Sequence, residues 1–356
     1  MGVLVKKGGK DNGNTNKQAV RIAEPLIETA HLHQKLSKLD PDYYSKENCE
    51  KFAYLIDKIK FLKKQLNAIA LVHNYQRPEI FEIADSMGDS LGLSKEAAKT
   101  NADVIVFCGV RFMAETAKIL NPNKTVLLPN LDAGCSLAET ATAEAVREKK
   151  EELKAKYGED LAVVGYVNTA AEVKAECDVS CTSANAVKIV KAMPEKNILF
   201  LPDRNLASYV QSQVPGKEII PWKGNCYVHQ EITAENILEA KHCVPNAKVL
   251  VHPECRSDVI ALADFVASTE GMVKYAKQND AKEFIIVTEC GLSDRLLLEV
   301  PEKRFFKSCK LCRQMKVTTL EDIANSLENL KYKIELDEEI RVKAEKSIKK
   351  MLELDT

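Results

Sequence analysis

Three cysteines lie at nearly the same distance after a pair of polar residues. The cysteines are Cys135, Cys226 and Cys312, and the pairs that precede them by 62, 60 and 60 residues are His73-x-Tyr75, Tyr166-x-Asn168 and His252-x-Glu254. Thiols, imidazoles, phenols and carboxylates are groups that bind metals and transfer protons. The repeated spacing therefore predicts one arrangement of reactive side chains that occurs three times in the chain.

Three converging thiolates suit a metal centre with an open coordination position. A closed structural zinc site needs four Cys or His ligands, often in close pairs, whereas the repeat supplies one cysteine per copy. On a 4Fe-4S cluster, three thiolates leave one iron without a protein ligand. Such an iron can act as a Lewis acid on a substrate hydroxyl or carboxylate, which is dehydration chemistry.

Each copy also carries a hydroxyl group 17 residues after the first member of its polar pair. These residues are Ser90, Ser183 and Thr269. We expect each of them at the amino end of a following helix, where free N–H groups and the helix dipole favour anions. One such serine is most simply a helix cap, but the recurrence in three copies favours a role in binding carboxylate or phosphate.

The elements that position these residues are short apolar runs separated by helical segments. Each copy opens on one run and has another midway: Ala68–Val72 with Val104–Val110, Leu161–Gly165 with Ile198–Leu201, and Ala247–Val251 with Phe284–Val287. Runs without polar alternation are typical of parallel strands buried on both faces. Because polar residues directly after parallel strands lie at the ligand-binding edge, we predict three homologous three-layer α/β/α domains about a pseudo-threefold axis, with the site at the centre.

The copies begin 93 and 86 residues apart, which is too long for solenoid repeats and fits small domains. We predict an N-terminal extension over 1–50, domains over 51–145, 146–240 and 241–319, and C-terminal helices over 320–356. Met1 to Lys17 is expected to be disordered or introduced by cloning, and a helix containing Phe52, Ile56 and Ile59 leads into the first strand. The C-terminal helices, Leu320–Leu330 and Asp337–Leu354, are expected to pack on the first domain.

Composition excludes several classes of partner. The 51 basic and 52 acidic residues give a net charge of −1, so bulk electrostatics favour neither nucleic acid nor an anionic membrane. No segment approaches the roughly 20 apolar residues of a membrane span, and the N-terminus lacks a secretory signal. Eleven cysteines in a mid-sized α/β chain favour reduced thiols and metal binding over a disulfide framework. We therefore expect a soluble, cytoplasmic protein.

The remaining cysteines have weaker signals. Cys309-x-x-Cys312 alone is compatible with a redox dithiol, half a zinc site, or a ligand beside a bystander. The repeat offset selects Cys312 as the ligand, which leaves Cys309 as either a bystander or a reversible lock on Cys312. Free cysteine is among the most buried residue types. We therefore expect structural roles for Cys49, Cys108, Cys177, Cys181, Cys243, Cys255 and Cys290.

From about Ile59 to Glu328 the sequence resembles the quinolinate synthases, iron-sulphur enzymes of NAD biosynthesis. The resemblance is carried by the segments Val72–Gln76, Gly88–Leu91, Phe107–Thr116, Ala133–Leu137, Tyr166–Asn168, Cys181–Ala186, Cys226–His229, His252–Cys255 and Ser268–Thr269. It implies condensation of iminoaspartate with dihydroxyacetone phosphate to quinolinate, with loss of phosphate and water. It also implies an aspartate oxidase or dehydrogenase that supplies the imine. One departure is that Arg-Gln-Met follows Cys312 where the family has a further cysteine or proline, which puts redox regulation through Cys309 in doubt.

The resemblance also implies roles for individual residues. Cys135, Cys226 and Cys312 would bind the 4Fe-4S cluster. Tyr75, Glu254, His73 and His252 would be catalytic, with Tyr75 and Glu254 as the candidates for proton transfer. The substrate would contact His73, Ser90, Tyr166, Val167, Asn168, Ser183, His229, His252, Pro253, Glu254, Ser268 and Thr269.

Two other functions remain open from the sequence. A diphthamide-type radical enzyme also takes one cluster cysteine from each of three domains, and it would bind S-adenosylmethionine. A zinc- or redox-binding scaffold without catalytic activity is the other alternative. The metal content and the colour of anaerobically purified protein separate this scaffold from an iron-sulphur enzyme.

Overall fold

The computed structural model describes residues 27–356 and, before them, two short strands. These strands, β1 (Val3–Leu4) and β2 (Ala19–Val20), pair antiparallel. Met1 to Lys17 was expected to be disordered or introduced by cloning. Apart from β1, this segment lies outside the described residues, so the expectation stays a prediction. Over 27–356 the chain forms three four-stranded parallel sheets flanked by helices. This confirms the predicted α/β class.

Two helices precede the first sheet. Helix α1 spans Thr29–Leu36, and α2 spans Lys46–Gln65, with Ser45 as its N-cap. The apolar residues at three- and four-residue intervals, Phe52, Ile56 and Ile59 among them, are buried, as the periodicity predicts. Helix α2 therefore covers the first sheet and delivers the chain directly to its central strand.

The first unit has the strand order β4-β3-β5-β6. Its strands are β3 (Ala68–His73), β4 (Ser86–Gly88), β5 (Val104–Cys108) and β6 (Thr125–Leu127), joined through the 3-10 helix Pro78–Ile83 and helices α3 (Ser90–Lys99) and α4 (Arg111–Leu120). Strand β5 is buried at every residue, since helices cover both of its faces.

The second unit repeats this order as β8-β7-β9-β10. Its elements are the 3-10 helix Ala138–Thr140, α5 (Ala143–Tyr157), β7 (Leu161–Tyr166), α6 (Ala171–Lys174), β8 (Val179–Cys181), α7 (Ala186–Ala192), β9 (Asn197–Leu201), α8 (Arg204–Gln213), β10 (Glu218–Pro221) and α9 (Tyr227–Gln230). Helix α10 (Ala234–Cys243) then leads into the third unit.

The third unit again has its second strand at one edge, in the order β12-β11-β13-β14. Its elements are β11 (Lys248–Val251), α11 (Ser257–Ile260), β12 (Phe265–Val266), α12 (Thr269–Gln278), β13 (Glu283–Val287), α13 (Cys290–Glu299), β14 (Arg304–Lys307) and α14 (Arg313–Lys316). One topology in all three units is what the repeated spacing predicts. The residue boundaries of the three domains stay a prediction.

The chain ends in two helices, α15 (Leu320–Asn329) and α16 (Glu338–Leu354), close to their predicted bounds. Helix α15 packs on α2 of the first unit. Helix α16 contacts α4 in the first unit and also α6, α7 and β8 in the second, so it joins two units. Between 27 and 356, no helix combines the length and apolar character needed to cross a bilayer.

Candidate active site

A cavity lies where the carboxyl ends of strands from the three units meet. Strands β3 and β7 end at His73 and Tyr166, and β11 ends directly before His252. Most of the predicted site residues line this cavity: His73, Tyr75, Ser90, Cys135, Tyr166, Asn168, Ser183, Cys226, His229, His252, Glu254, Thr269 and Cys312. Residues that are far apart in sequence are thus brought to one place by the packing of three similar units.

The three cysteines of the repeat reach the cavity from three different units. Cys226 and Cys312 are the N-caps of α9 and α14, and Cys135 lies just before the 3-10 helix Ala138–Thr140. Burial raises the pKa of each thiol, to about 12 for Cys135. Backbone N–H groups that hydrogen-bond each sulfur act in the opposite direction and favour thiolate. Buried sulfurs that receive N–H donors are suited to metal binding.

His73 and His252 occupy equivalent places and have the same local geometry. The Nδ1 atom of His73 accepts a hydrogen bond from the backbone N–H of Tyr75 at 3.2 Å, and Nδ1 of His252 accepts one from Glu254 at 3.4 Å. Burial lowers the pKa of both histidines to about 3, so both rings are neutral at pH 7. Neutral imidazoles can accept as well as donate hydrogen bonds, which suits contact with a substrate.

A buried carboxylate links the second and third units. Glu254 is 3% exposed, and its Oε2 lies 2.8 Å from Nδ1 of His229 and 3.5 Å from Nδ1 of His252. Burial raises the pKa of Glu254, but the two histidines and a hydrogen bond from Tyr166 lower it by more, and the net direction is downward. The ring of His229 stacks on that of His252 with centroids 4.6 Å apart. These groups form a compact assembly on the cavity wall.

The three hydroxyl residues are not placed identically. Ser90 and Thr269 are the first residues of α3 and α12, as predicted. Ser183 lies two residues before Asn185, the N-cap of the seven-residue helix α7, so in this unit the hydroxyl is on the preceding turn. That turn brings Oγ of Ser183 to 3.2 Å from Nε2 of His252. The difference arises because the Thr182 N–H and Oγ bond the Asn185 side chain and delay the start of the helix.

Three predicted substrate contacts do not line the central cavity. Val167 packs in the main apolar core. Ser268 is the N-cap of α12, and the hydroxyl of Ser268 donates a hydrogen bond to Asp89 at 2.8 Å. Pro253 and Ser268 line a neighbouring cavity, which shares Asp89 and Ser183 with the central one. By contrast, Oδ1 of Asn168 is buried without a hydrogen-bond partner among the described residues. This atom is free to contact a bound molecule.

Comparison with known proteins matches the whole α/β region. The family model "Quinolinate synthetase A protein" matches residues 57–353. The chain is 53% identical over 301 residues to a quinolinate synthase of Thermodesulfovibrio yellowstonii, which covers 84% of this chain and 98% of the relative. A quinolinate synthase of Methanosarcina barkeri is 47% identical over 302 residues, covering 84% of this chain and 97% of the relative. The chain belongs to the quinolinate synthetase A family. It is therefore an enzyme, with a role in NAD biosynthesis.

The sequence did not predict two buried carboxylates that accept hydrogen bonds from the backbone of the loops carrying Cys226 and Cys312. Asp203, the N-cap of α8, accepts hydrogen bonds from Leu206 N at 2.7 Å and from Cys226 N at 3.0 Å. Glu289, the N-cap of α13, accepts in the same way from Gly291 N and, at 3.1 Å, from Cys312 N. Each carboxylate precedes its cysteine by 23 residues. This shared offset was a signal that could have found both.

Replacing Asp203 with alanine should weaken both the fold and metal binding at Cys226. Two backbone N–H groups would lose their acceptor, which costs about 1–3 kcal/mol of unfolding free energy. We expect a lower melting temperature and less iron bound after anaerobic reconstitution. Asp337→Ala is the control, since it removes the cap of α16 far from the cavity. Equal iron content in the two variants would contradict the role of Asp203.

Two of the other cysteines, Cys309 and Cys243, differ from expectation. Cys309 forms a disulfide with Cys290 rather than with Cys312, so the predicted lock on Cys312 was wrong and the alternative of a bystander beside the ligand fits. Cys309 and Cys290 are close because the loop after β14 lies on the start of α13, where Cys290 N donates to Lys310 O. Cys312, three residues further along, lines the central cavity instead. Cys243 is exposed at the end of α10, contrary to the buried role expected for it.

Proposed function

We propose that this protein condenses iminoaspartate with dihydroxyacetone phosphate to give quinolinate, with loss of phosphate and water. The observation that carries this proposal is the central cavity, which is lined by a cysteine and a polar pair from each unit. Membership of the quinolinate synthetase A family supports it over other chemistry at such a cavity. Because the imine is unstable in water, its supply requires a neighbouring oxidase or dehydrogenase that acts on aspartate.

Cys135, Cys226 and Cys312 would hold a 4Fe-4S cluster in this proposal. Their sulfurs line one cavity, and each already receives backbone N–H donors, which fits thiolate ligands. When bound, the cluster would supply an iron without a protein ligand, whose Lewis acidity favours loss of hydroxide from a substrate. Reduced thiols of this kind are maintained in a reducing compartment such as the cytoplasm.

Recognition of the anionic substrates would fall to polar groups on the rim of the cavity. The first turns of α3 and α12, which begin at Ser90 and Thr269, present backbone N–H groups and the positive end of the helix dipole. Asn168, whose side-chain oxygen has no protein partner, can accept from a substrate hydroxyl or imine N–H. Neutral His73 and His252 can orient carboxylates without neutralising them.

Proton transfer would be carried out by Tyr75 and Glu254. Tyr75 is 9% exposed, and burial raises the pKa of its phenol well above the usual value, so it enters the reaction as a proton donor. Glu254 is held ionised beside His229 and Tyr166 and is the group that can accept a proton. Keto-enol steps and dehydration need both an acid and a base within one cavity.

The proposal predicts quinolinate formation by anaerobically reconstituted protein. The assay combines dihydroxyacetone phosphate with iminoaspartate generated in place by an aspartate oxidase, and quinolinate is quantified by chromatography. Omission of the phosphate substrate is the control for the imine-generating system. Protein with a full complement of iron that forms no quinolinate would contradict the proposal, and a change in its spectrum on titration with S-adenosylmethionine would indicate radical chemistry instead.

A single-cation site is the second candidate, and one observation favours it. Ligand atoms of Cys226, His229 and Glu254 lie within 4.8 Å of one another. Sulfur, imidazole and carboxylate form a set that can bind zinc. However, this set leaves out Cys135 and Cys312, whose sulfurs face the same cavity. Metal analysis separates the two, because a cluster gives iron and sulfide whereas the single site gives colourless protein with one zinc.

A further inference from the structure

The hydroxyl of Thr269, which lines the central cavity, has a buried partner from another unit. Thr269 is the first residue of α12 and is 2% exposed. Its Oγ1 accepts a hydrogen bond of 2.7 Å from Nδ2 of Asn74, which directly follows β3 and is fully buried. The two residues lie 195 positions apart in the chain. A side chain of the first unit thus bonds a cavity residue of the third.

The amide of Asn74 is held in one orientation by an arginine. Nη1 of Arg295, in α13, donates a hydrogen bond to Oδ1 of Asn74. A guanidinium carries donors only, so the amide oxygen must face Arg295 and the amide nitrogen must face Thr269. Arg295 is 6% exposed and is itself fixed by ion pairs of 2.8 Å to Glu270 and 2.6 Å to Glu299. Because a hydrogen bond from a charged donor is about twice as strong as a neutral one, the reversed amide is disfavoured.

This orientation determines what Thr269 offers to the cavity. The Thr269 oxygen accepts from Asn74, so its own proton is not used in that contact, and no group within 27–356 accepts it. The proton is therefore free to bond a molecule in the cavity. A reversed amide would take that proton and leave only lone pairs facing the cavity, which would repel a carboxylate or a phosphate.

We propose that Asn74 and Arg295 are positioning residues that keep the Thr269 hydroxyl as a hydrogen-bond donor to an anionic group of the substrate. This inference rests on the proposed function, in which Thr269 begins a helix that binds anions. Asn74 and Arg295 do not line the central cavity, so they act through Thr269 rather than on the substrate. The anionic group is either the phosphate of dihydroxyacetone phosphate or a carboxylate of the imine, and two ligands distinguish these sources.

Asn74→Asp tests the inference, because an ionised aspartate has the shape of asparagine but cannot donate through its side chain. The new carboxylate would still accept from Arg295, and it would also take the proton of Thr269 away from the cavity. Calorimetric titration measures the dissociation constants for dihydroxyacetone phosphate and for quinolinate, which has carboxylates and no phosphate. We expect one of the two to bind about 10- to 100-fold more weakly, the usual loss of a hydrogen bond to a charged group. Loss for dihydroxyacetone phosphate assigns Thr269 to phosphate, and loss for quinolinate assigns it to carboxylate.

A double-mutant cycle separates this effect from simple repulsion by the new carboxylate. Thr269→Val removes the hydroxyl and should weaken the same ligand by a similar factor. If Asn74 acts through Thr269, adding Asn74→Asp to Thr269→Val should weaken binding by less than about threefold more. In steady-state kinetics the change should appear in KM for that substrate rather than in kcat. Losses that multiply in full in the double variant would overturn the inference.

Asn121→Asp is the matched control. Asn121 is 6% exposed and donates to the carbonyls of Ala97 and Ala117, outside the cavity. This change should lower the melting temperature and leave both dissociation constants close to wild type. Wild-type affinity for both ligands in Asn74→Asp or in Thr269→Val would overturn the inference while the proposed function stands. Wild-type protein that forms no quinolinate would overturn both.

Discussion

Cys226→Ala is expected to abolish the iron-sulphur absorbance and quinolinate formation together. The same result is expected for Cys135→Ala and Cys312→Ala, because each unit supplies one sulfur to the cavity and none has a substitute beside it. Loss of a residue that only orients a metal ligand typically costs 10- to 100-fold in affinity or activity. Loss of a ligand should exceed this, so we expect turnover below about 1% of wild type. Visible absorbance, iron analysis and the quinolinate assay measure the effect.

Cys309→Ala provides the control for this series. It lies three residues before Cys312, and its sulfur is bonded to Cys290 outside the cavity. We expect this variant to retain its iron and its turnover, with at most a lower melting temperature from the lost crosslink. If Cys309→Ala lost the absorbance and Cys312→Ala kept it, the ligand assignment within this pair would be wrong.

Tyr75→Phe is expected to leave the iron content intact and to lower kcat by about 10²- to 10⁴-fold, the usual contribution of a general acid or base. The ring, which packs against His73 with centroids 4.7 Å apart, would remain in place. Only the hydroxyl that contacts Thr288 would be lost. Steady-state kinetics on reconstituted protein, normalised to iron content, measure the effect.

Tyr44→Phe is the matched control, since Tyr44 is also buried and donates a hydrogen bond to Glu79 at 2.7 Å outside the site. We expect this change to lower the free energy of unfolding by about 1–3 kcal/mol, because a buried acceptor loses its donor, and to leave kcat unchanged. Turnover of Tyr75→Phe close to that of Tyr44→Phe would remove Tyr75 from the mechanism.

Much of the fold was predictable because the same short apolar runs occur at the same offsets in three copies, although one run alone would be weak evidence for a strand. The apolar runs of β3, β7 and β11 were found by their fixed offset from the polar pairs. Strands at the sheet edges were missed, such as β12 (Phe265–Val266) and β4 (Ser86–Gly88), because two or three residues carry no usable pattern. Their pairing comes from the central strands beside them rather than from their own sequence.

Residues of the site could be predicted from the sequence only where all three copies have a similar type of residue at the same offset. Asp203 and Glu289 share an offset, but the first unit has Val110 as the N-cap of α4 where the other two units have these carboxylates. Thr288, whose hydroxyl contacts the side chains of Tyr75 and His229, occurs in one copy only, and these contacts arise from the packing of the units. The Cys290–Cys309 bond was beyond prediction, since sequence spacing does not determine which sulfurs can approach.

The position of α16 bears on how the first two units are held relative to each other. The last 17-residue helix holds two units together: Arg341 donates to the Ile119 carbonyl of the first, and the Ser347 hydroxyl donates to the Lys174 carbonyl of the second. Helix α16 supplies no residue to the central cavity. The approach of Cys135 and Cys226 to each other therefore depends in part on a helix that lies outside the site and contacts both units.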